Sequence, residues 1–465
     1  MLMSALTSRW RARLHRNRLQ IGLAVLVLVM LAVWLGWPLS SPFVSGKLVV
    51  LIRQSPTTYF LDADGNPAGF EYDLVAEFAR RNDLTLEVVL AEDVDDLVSG
   101  VARNRAHLSA GWLTVTPERA GRLRFGPVYA EERELVVCGP RVDRPAGLAG
   151  LAKVRLEVVK GSSHVERLRE VRQVHPGLRW VEMESSTEDL LERVATGLAD
   201  CTVSDGSTFN LVWNYWPKLE VAFALTERRD IAWALPIDAE LQLRQAMADF
   251  FRTIRADGFL ERLKERYFGH LRRLEEADVQ GILTRRTRQL PALKPFFIAA
   301  QEETGQDWRL LAALAYQESQ WNRLATSPTG VRGIMMLTSE TADRLGVNDR
   351  LDARESILGG ARYLAMLRDQ LPARIPEPDR TWMAMAAYNL GMGHFEDARR
   401  LTQKLNKNPD AWHDVKEVLP LLAKSAYAGS LRLGFARGGE ARILTENVRI
   451  YYDILKRFES ANEAG

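Results

Sequence analysis

A chain of 465 residues is longer than one ordinary hydrophobic core can organise, so the sequence predicts two or three domains. Hydrophobic residues make up 46% of the chain and charged residues 26%, which is typical of soluble globular proteins. The 62 Lys and Arg residues and the 60 Asp and Glu residues leave a formal net charge of only +2. This balance does not provide the strongly basic surface that nucleic-acid binding requires, so no nucleic-acid partner is expected.

Residues 1–45 have the pattern of an export signal or membrane anchor followed by a short linker. Five arginines precede an uncharged apolar run from Ile21 to Trp37, which ends at Pro38. A positive flank stays cytoplasmic while the apolar run enters the membrane, so the rest of the chain is expected outside the inner membrane. The small residues of Val44-Ser45-Gly46 favour cleavage there over retention as an anchor, and both remain open.

Cys138 and Cys201 are the two cysteines of the chain. An oxidising compartment would allow them to pair, whereas two separate buried thiols in strands fit the sequence equally well. The seven histidines show neither an HExxH motif nor the Cys/His spacing of a metal site. No metal and no other cofactor is therefore expected.

Between Lys47 and Gly269, short β-rich runs alternate with amphipathic helical stretches. Strand–helix–strand order predicts a parallel sheet covered by helices. The predicted strands are Lys47–Ile52, Leu86–Leu90, Arg155–Val159 and Leu198–Ser204, the predicted helices are Tyr72–Arg81 and one that ends near Tyr267–Gly269, and Asp62–Pro67 is a predicted turn.

The composition changes after Leu274, where β-branched runs become rare and Ala, Leu, Glu and Arg recur with helical periodicity. A mostly α-helical second domain is therefore expected at residues 271–465, with its boundary near Arg272–Glu276. Pro372–Pro378 is expected to form an exposed loop inside this domain.

One carboxylate of the second domain shares the apolar face of a predicted helix. Asp307 is a good N-cap for a helix from Trp308 to about Gln320, and Glu318 falls on the same face as Leu311 and Leu314. Burial and the negative end of the helix dipole both favour the protonated acid, so the pKa of Glu318 should be raised, as a general acid requires. On this pattern alone, a structural Glu paired with an Arg is the favoured interpretation.

Four segments of this domain resemble the signatures of lytic transglycosylases with a lysozyme-like domain of the soluble-transglycosylase type. They occur in the order of that family, and together they favour the catalytic interpretation of Glu318. The segments are Ala315–Asn322, which contains the Glu-Ser pair, Gly330–Thr338, which is similar to Gly-Leu-Met-Gln-Leu-Thr, Ala387-Tyr-Asn389 with Gly391, and Arg437–Glu440 followed by Asn447–Tyr452.

The resemblance implies a lyase that acts on the glycan strands of peptidoglycan with one carboxylate, whereas most glycosidases use two. Glu318 would protonate the leaving oxygen while the N-acetyl group of the muramic acid stabilises the developing cation. The resulting carboxylate would then take the proton of the C6 hydroxyl of the same sugar, and a 1,6-anhydro ring would close. Because both reacting centres belong to one sugar, the reaction gains the advantage of proximity.

The resemblance also implies roles for residues around Glu318. Ser319 would orient the glutamate or the substrate, Met335 and Met336 would line the sugar groove, and Tyr388 and Asn389 would bind the N-acetyl group or orient Glu318. From the residues alone, a Met pair in the core and a Tyr-Asn pair that caps a helix fit equally well. Ile334 and Met336 stand where the family commonly has Leu and Gln, which removes one sugar hydrogen bond. Tyr451 and Tyr452 either complete the groove or pack the last helix.

Residues 46–270 resemble family 3 extracellular solute-binding proteins, the periplasmic receptors for amino acids. The resemblance rests mainly on Gly69–Leu74, Leu113–Arg119 and Phe125–Tyr129. It implies two α/β lobes that close on a ligand, with Arg119 gripping a carboxylate and Asp205 holding an ammonium group. A planar guanidinium suits the first role because it can form two parallel hydrogen bonds.

Further ligand contacts are predicted in this domain. Ser162 and Ser163, in the run Lys160–His164, would bind an anion or simply cap the helix that follows. Tyr59 would stack over the ligand, and an exposed tyrosine at a strand end is the alternative. Beside a murein-cleaving domain, such a receptor is expected to sense a stem peptide or an amino acid as an effector.

The sequence therefore predicts a multidomain protein: a two-lobed α/β domain of periplasmic-binding-protein type, followed by a mostly α-helical, lysozyme-like transglycosylase domain. Two other functions compete with this one, a receptor whose second domain holds murein without cutting it, and a hydrolase of the goose-lysozyme kind. The resemblance implies peripheral attachment to the outer membrane on its periplasmic side.

Overall fold

The computed structural model describes residues 39–55, 57–61, 65–271, 274–327 and 330–461. The predicted export segment lies outside these residues, as do Asp62–Asp64 of the predicted turn. The residues just before the first strand are described: the short helix α1 (Pro42–Ser45) packs Phe43 against the first lobe, and Ser41 Oγ donates a hydrogen bond to Glu240 at 2.7 Å. Within the part of the chain that the structure describes, no helix combines the length and the apolar character that a membrane span requires.

The first lobe is a five-stranded sheet with the strand order β4 (Thr85–Ala91), β1 (Lys47–Arg53), β5 (Leu108–Ala110), β14 (Ala234–Pro236) and β6 (Leu123–Phe125). The short strands β2 (Phe60–Leu61) and β3 (Pro67–Ala68) form a separate antiparallel pair. Strand β1 pairs in parallel with β4 and β5, because helical crossovers connect them, and β14 returns antiparallel beside β5 and β6. Its helices are α2 (Phe70–Arg81), α3 (Val94–Ala102), α4 (Pro117–Ala120), α8 (Leu241–Ala256) and α9 (Phe259–Phe268).

The second lobe repeats this plan, with the strand order β10 (Val181–Met183), β9 (Leu156–Val159), β11 (Cys201–Asp205), β8 (Glu134–Cys138) and β12 (Glu220–Ala224). Strand β9 is parallel to β10 and β11, and β8 is antiparallel to β11 and β12. Its helices are α5 (Ser163–Val174), α6 (Thr187–Thr196) and α7 (Gly206–Trp213). The chain passes between the lobes twice, at the paired strands β7 (Ala130–Glu132) and β13 (Arg229–Ile231).

The rest of the described chain is helical. Its elements are α10 (Glu276–Arg288), α11 (Leu290–Thr304), α12 (Trp308–Ser319), α13 (Ser339–Leu345), α14 (Ala353–Gln370), α15 (Asp379–Leu390), α16 (Met392–Lys404), α17 (Trp412–Val418) and α18 (Gly438–Phe458). Helix α12 is buried from Trp308 to Tyr316, and α18 packs against both α12 and α15. The predicted fold class, a two-lobed α/β region followed by a mostly helical one, is confirmed.

Cys138 and Cys201 form a disulfide. They face each other in the antiparallel register of β8 and β11, and both are fully buried. Of the two possibilities that the sequence left open, the structure has the paired one.

Candidate active site and ligand cleft

Glu318 lies in the last turn of α12. The helix begins where predicted: the Asp307 side chain accepts a hydrogen bond from the Arg309 amide at 2.9 Å and so caps its first turn. It ends because Gln320 and Trp321 adopt positive φ angles of 52° and 61°. The Trp321 indole then folds back and donates to the Ala312 carbonyl oxygen at 2.8 Å. The carboxyl group is therefore held at a fixed helix end.

Burial determines the electrostatics of Glu318. It raises the pKa of this carboxyl to about 8, because the charged form loses its hydration. The ion pairs formed by the described residues include none at Glu318, so the structural alternative of a Glu paired with an Arg finds no partner there. At neutral pH the group is mostly protonated, which is the form that can donate a proton.

The segment Gly330–Thr338, which follows α12, is hydrogen-bonded to the residue next to Glu318 and to α15. Ser319 Oγ donates to the Ile334 carbonyl oxygen at 2.8 Å and lies 3.1 Å from the Ala315 carbonyl oxygen. Tyr388 Oη, from α15, donates to the Met335 carbonyl oxygen at 2.8 Å. Three separate parts of the predicted motif set thus meet through backbone carbonyls.

A glycine fixes the path of this segment. Gly333 has a φ of +82°, and a Cβ added there would lie 1.7 Å from the Arg350 carbonyl oxygen. Arg350 in turn donates to the carbonyl oxygens of Gly330 and Leu337, both at 2.9 Å. Any side chain at position 333 would therefore displace the segment Gly330–Thr338 from its place beside α12.

The residues predicted around Glu318 occupy different environments. Tyr388 is buried, and its pKa lies well above the ordinary value because of burial and the nearby charge of Glu318. Met335 is fully buried, so its side chain belongs to the core and its carbonyl oxygen is what faces Tyr388. Met336 is half-buried with a strained φ of +49°, and Asn389 is exposed at the end of α15.

Sequence reasoning missed Tyr363 of α14, whose ring centroid lies 5.0 Å from that of Tyr388. It stands outside the four motif segments, which is why no pattern drew attention to it.

Tyr451 and Tyr452 pack the last helix, the second of the two alternatives. Tyr451 stacks edge-on against Tyr316, and Tyr452 Oη donates to Asp307 at 2.8 Å.

A second candidate site lies between the two lobes. Arg119, Ser162, Ser163 and Asp205 all line this cleft, as the resemblance implied, but its free volume is only about 50 Å³. Tyr59 is not among the lining residues and instead packs edge-on against Tyr72. The lobes are therefore closed on a space much smaller than the several hundred Å³ of a typical small-molecule pocket.

Internal partners occupy the polar groups of the cleft. Ser163 Oγ donates to Glu134 at 2.6 Å, and Ser162 Oγ donates to the Val159 carbonyl oxygen at 2.6 Å. His164 lies 3.5 Å from Asp205. Burial alone would lower the pKa of His164, but the contact with Asp205 and the charges around it raise the pKa. His164 directly follows the predicted Ser162 and Ser163 but was not itself predicted as a site residue.

Comparisons with known proteins agree with this architecture. Residues 48–270 match the family of bacterial extracellular solute-binding proteins, family 3, and residues 295–411 match the transglycosylase SLT domain. A membrane-bound lytic murein transglycosylase F from Thiobacillus denitrificans is 48% identical over 94% of this chain and 93% of its own length. A protein of the same name from Nitrosospira multiformis is 46% identical over 89% of this chain and 86% of its own.

The chain belongs to the membrane-bound lytic murein transglycosylase F family. The resemblances found in the sequence are thereby confirmed, and the prediction of a peptidoglycan lytic transglycosylase is confirmed at the level of this family. Among solved structures, a mutant of ArgBP from T. maritima aligns over 49% of this chain and 96% of its own, with 23% identity and a TM-score of 0.44.

Proposed function

We propose that this member of the transglycosylase F family cleaves the β-1,4 bond between N-acetylmuramic acid and N-acetylglucosamine in peptidoglycan and leaves 1,6-anhydromuramic ends. Residues 271–465 would carry this activity. The observation that supports the proposal most strongly is Glu318, a carboxyl that burial keeps protonated at neutral pH and that has no ion-pair partner among the described residues.

The chemistry needs no second carboxylate from the protein. Glu318 gives its proton to the glycosidic oxygen as the bond to C1 breaks, and the N-acetyl group of the muramic acid stabilises the cation at C1. The carboxylate then takes the proton of the C6 hydroxyl, whose oxygen bonds to C1. Glu318 ends in its starting state, and no water is consumed. Ser319, Met335, Met336, Tyr388 and Asn389 are proposed to hold Glu318 and the sugar in place.

Replacement of the acid tests this proposal. Glu318→Gln should lower the turnover of purified murein by at least about a thousandfold, because the amide cannot donate the proton. Its thermal unfolding at neutral pH should match that of the wild type, since one neutral group replaces another. Glu302→Gln, at an exposed position of α11, is the control and should keep full activity. Full activity of Glu318→Gln would refute the assignment.

The two-lobed region, residues 46–270, is proposed to bind a stem peptide or an amino acid and to regulate the enzyme. Both lobes contact α18, which packs against the helix of Glu318. The second lobe does so through Glu192, which accepts from Arg457 at 2.8 Å, and through the ring contact between Tyr215 and Phe458. A ligand that changes the angle between the lobes would therefore change the contacts of α18.

Calorimetry with a murein tetrapeptide tests this part. The wild type should bind the peptide, and Arg119→Ala should lose most of the affinity because it removes the carboxylate partner. Equal binding by both proteins would remove Arg119 from the ligand site.

The protein is further proposed to act on the periplasmic side of the envelope, as a peripheral protein of the outer membrane, in keeping with the membrane-bound relatives. Fractionation of the two membranes would test that location.

A further inference from the structure

The guanidinium of Arg119 already holds a carboxylate from the opposite lobe. Arg119 belongs to α4 of the first lobe, and Glu166 belongs to α5 of the second. Arg119 Nε donates to Glu166 Oε1 at 2.7 Å, and the Arg119 side chain is only 4% exposed. The group that was predicted to grip a ligand carboxylate is thus paired inside the protein.

Further contacts around the Arg119–Glu166 pair also connect the first lobe to the second. Arg119 Nη2 donates to the Gly161 carbonyl oxygen at 3.3 Å, and Ser163 Oγ lies 3.3 Å from Thr114 Oγ1. Gly161 has a φ of +69°, and a Cβ there would lie 2.4 Å from Asp95 of the first lobe. The two lobes therefore meet closely around this pair, with about 50 Å³ left free.

The ion pair between Arg119 and Glu166 uses only one carboxylate oxygen, so a ligand carboxylate could replace Glu166. Only Glu166 Oε1 is bound, because Glu166 Oε2 is buried without a hydrogen-bond partner among the described residues. The bonds from Arg119 to carbonyl oxygens are long, at 3.3 Å each. A ligand carboxylate that approached the guanidinium from the front could make two parallel charged hydrogen bonds, which are stronger than this single one.

Three other side chains of the cleft have buried nitrogen atoms without a hydrogen-bond partner among the described residues. Arg53 Nε, Trp112 Nε1 and His164 Nδ1 are buried without a hydrogen-bond partner among the described residues, and all three side chains line the cleft. The His164 side chain is only 4% exposed. Unsatisfied buried donors are costly, so their concentration here indicates a site that a polar ligand completes.

We infer that Glu166 is a built-in competitor for the ligand site: in the ligand-free protein it latches the lobes closed through Arg119, and a ligand binds by replacing it with its own carboxylate. This inference rests on the proposed role of Arg119. It defines the ligand class as molecules with a free carboxylate, because a planar carboxylate can take the place of the Glu166 carboxylate on the guanidinium with two parallel hydrogen bonds.

Two measurements on the full chain test the latch, with Glu166→Gln as the variant. Glu170→Gln is the matched control, because Glu170 lies one turn further along α5 and pairs with Arg167 at the surface. In the ligand-free protein, hydrogen exchange of the amides of Thr114–Arg119 and Gly161–Ser163 should be faster in Glu166→Gln and unchanged in Glu170→Gln. Unchanged exchange in Glu166→Gln would overturn the latch.

Calorimetry supplies the second measurement, with murein tetrapeptide and its C-terminal amide as probes. Glu166→Gln should bind the tetrapeptide about tenfold more tightly than the wild type, because a competing charged hydrogen bond is gone. The amide should bind more weakly than the acid in every variant. Unchanged or weaker binding of the acid by Glu166→Gln would contradict the inference. Faster exchange without tetrapeptide binding by any protein would support the latch and refute the proposed effector.

Discussion

At the scale of single residues, the central feature is a carboxyl group whose protonation is set by where it lies. The helix pattern predicted that Glu318 shares the apolar face of α12 and that its pKa is raised. The residue is half-buried at the end of that helix, and desolvation of its carboxyl raises the pKa as predicted. Burial disfavours the anion, and the described residues supply no cation to offset this. A side chain of ordinary acidity thereby becomes a proton donor at neutral pH.

The pH dependence of the reaction follows from this pKa. Free enzyme must hold the proton on Glu318 to begin the reaction, so kcat/KM should fall about tenfold per pH unit above about 8. Initial rates on purified murein between mildly acidic and alkaline pH measure this limb, and circular dichroism at each pH verifies that the fold persists. A falling limb near the ordinary glutamate value of 4.5 would contradict the assigned protonation state.

Residue patterns in the sequence predicted more of the site around Glu318 than of the ligand cleft between the lobes. Asp307, Glu318 and Tyr388 were found because each sits in a short local motif. The pairing of Arg119 with Glu166 could not be predicted, since the two residues come from different lobes and meet only when the lobes close. The burial of Met335 was equally hidden, because a Met pair fits a groove and a core alike.

At the scale of elements, strand and helix identities were predicted well and their ends less well. The predicted strand Leu198–Ser204 in fact begins at Cys201, because Gly197 adopts a left-handed conformation and ends α6 just before it. The predicted helix from Tyr72 begins two residues earlier, at Phe70. Local capping and turn geometry decides such boundaries, whereas the alternation of apolar residues decides only the element type.

The disulfide joins two neighbouring elements of the second lobe, β8 and β11. It closes a loop between residues 63 positions apart, so it should stabilise the lobe by about 2–5 kcal/mol, mainly by restricting the unfolded chain. Urea unfolding of the wild type should therefore shift to lower urea when a reductant is added. Cys138→Ala with Cys201→Ala serves as the control and should show no effect of the reductant. An equal response of both proteins would argue against a stabilising bond.

At the scale of the whole molecule, a buried charge cluster joins the two-lobed region to the helical one. Glu265 of α9 contacts Lys416 and lies 3.3 Å from Arg449 of α18, and both cations also bind Glu446. Burial alone would raise the pKa of Glu446, but Arg449 and Lys416 lower it to about 2. Arg449 also donates to the carbonyl oxygens of Glu265 and Arg266 at the end of α9.

Removal of one carboxylate from this cluster should loosen the junction. Glu265→Gln leaves Lys416 and Arg449 buried with a single anion, so the free energy of unfolding should drop by about 3–5 kcal/mol. Glu261→Gln, one turn earlier on α9, breaks only a surface pair with Lys264 and should cost less than about 1 kcal/mol. Chemical denaturation of the three proteins measures both values. Equal stability of the two variants would show that the cluster does not hold the regions together.

Domain order was readable from composition and motifs, but the contacts between the regions were not, because no local pattern marks Glu265 or Arg449 as interface residues. Those contacts connect both lobes to α18, which packs against the helix of Glu318. The fate of water in the reaction distinguishes a lyase from a hydrolase.

Digestion of purified murein in water enriched in heavy oxygen, followed by mass spectrometry of the muropeptides, is the most direct test. The account predicts 1,6-anhydromuramic ends that contain no heavy oxygen, because the sugar's own C6 hydroxyl closes the ring. Reducing ends labelled with heavy oxygen at C1 would show that water is the nucleophile, and they would contradict the proposal that Glu318 completes the reaction with the substrate's own groups.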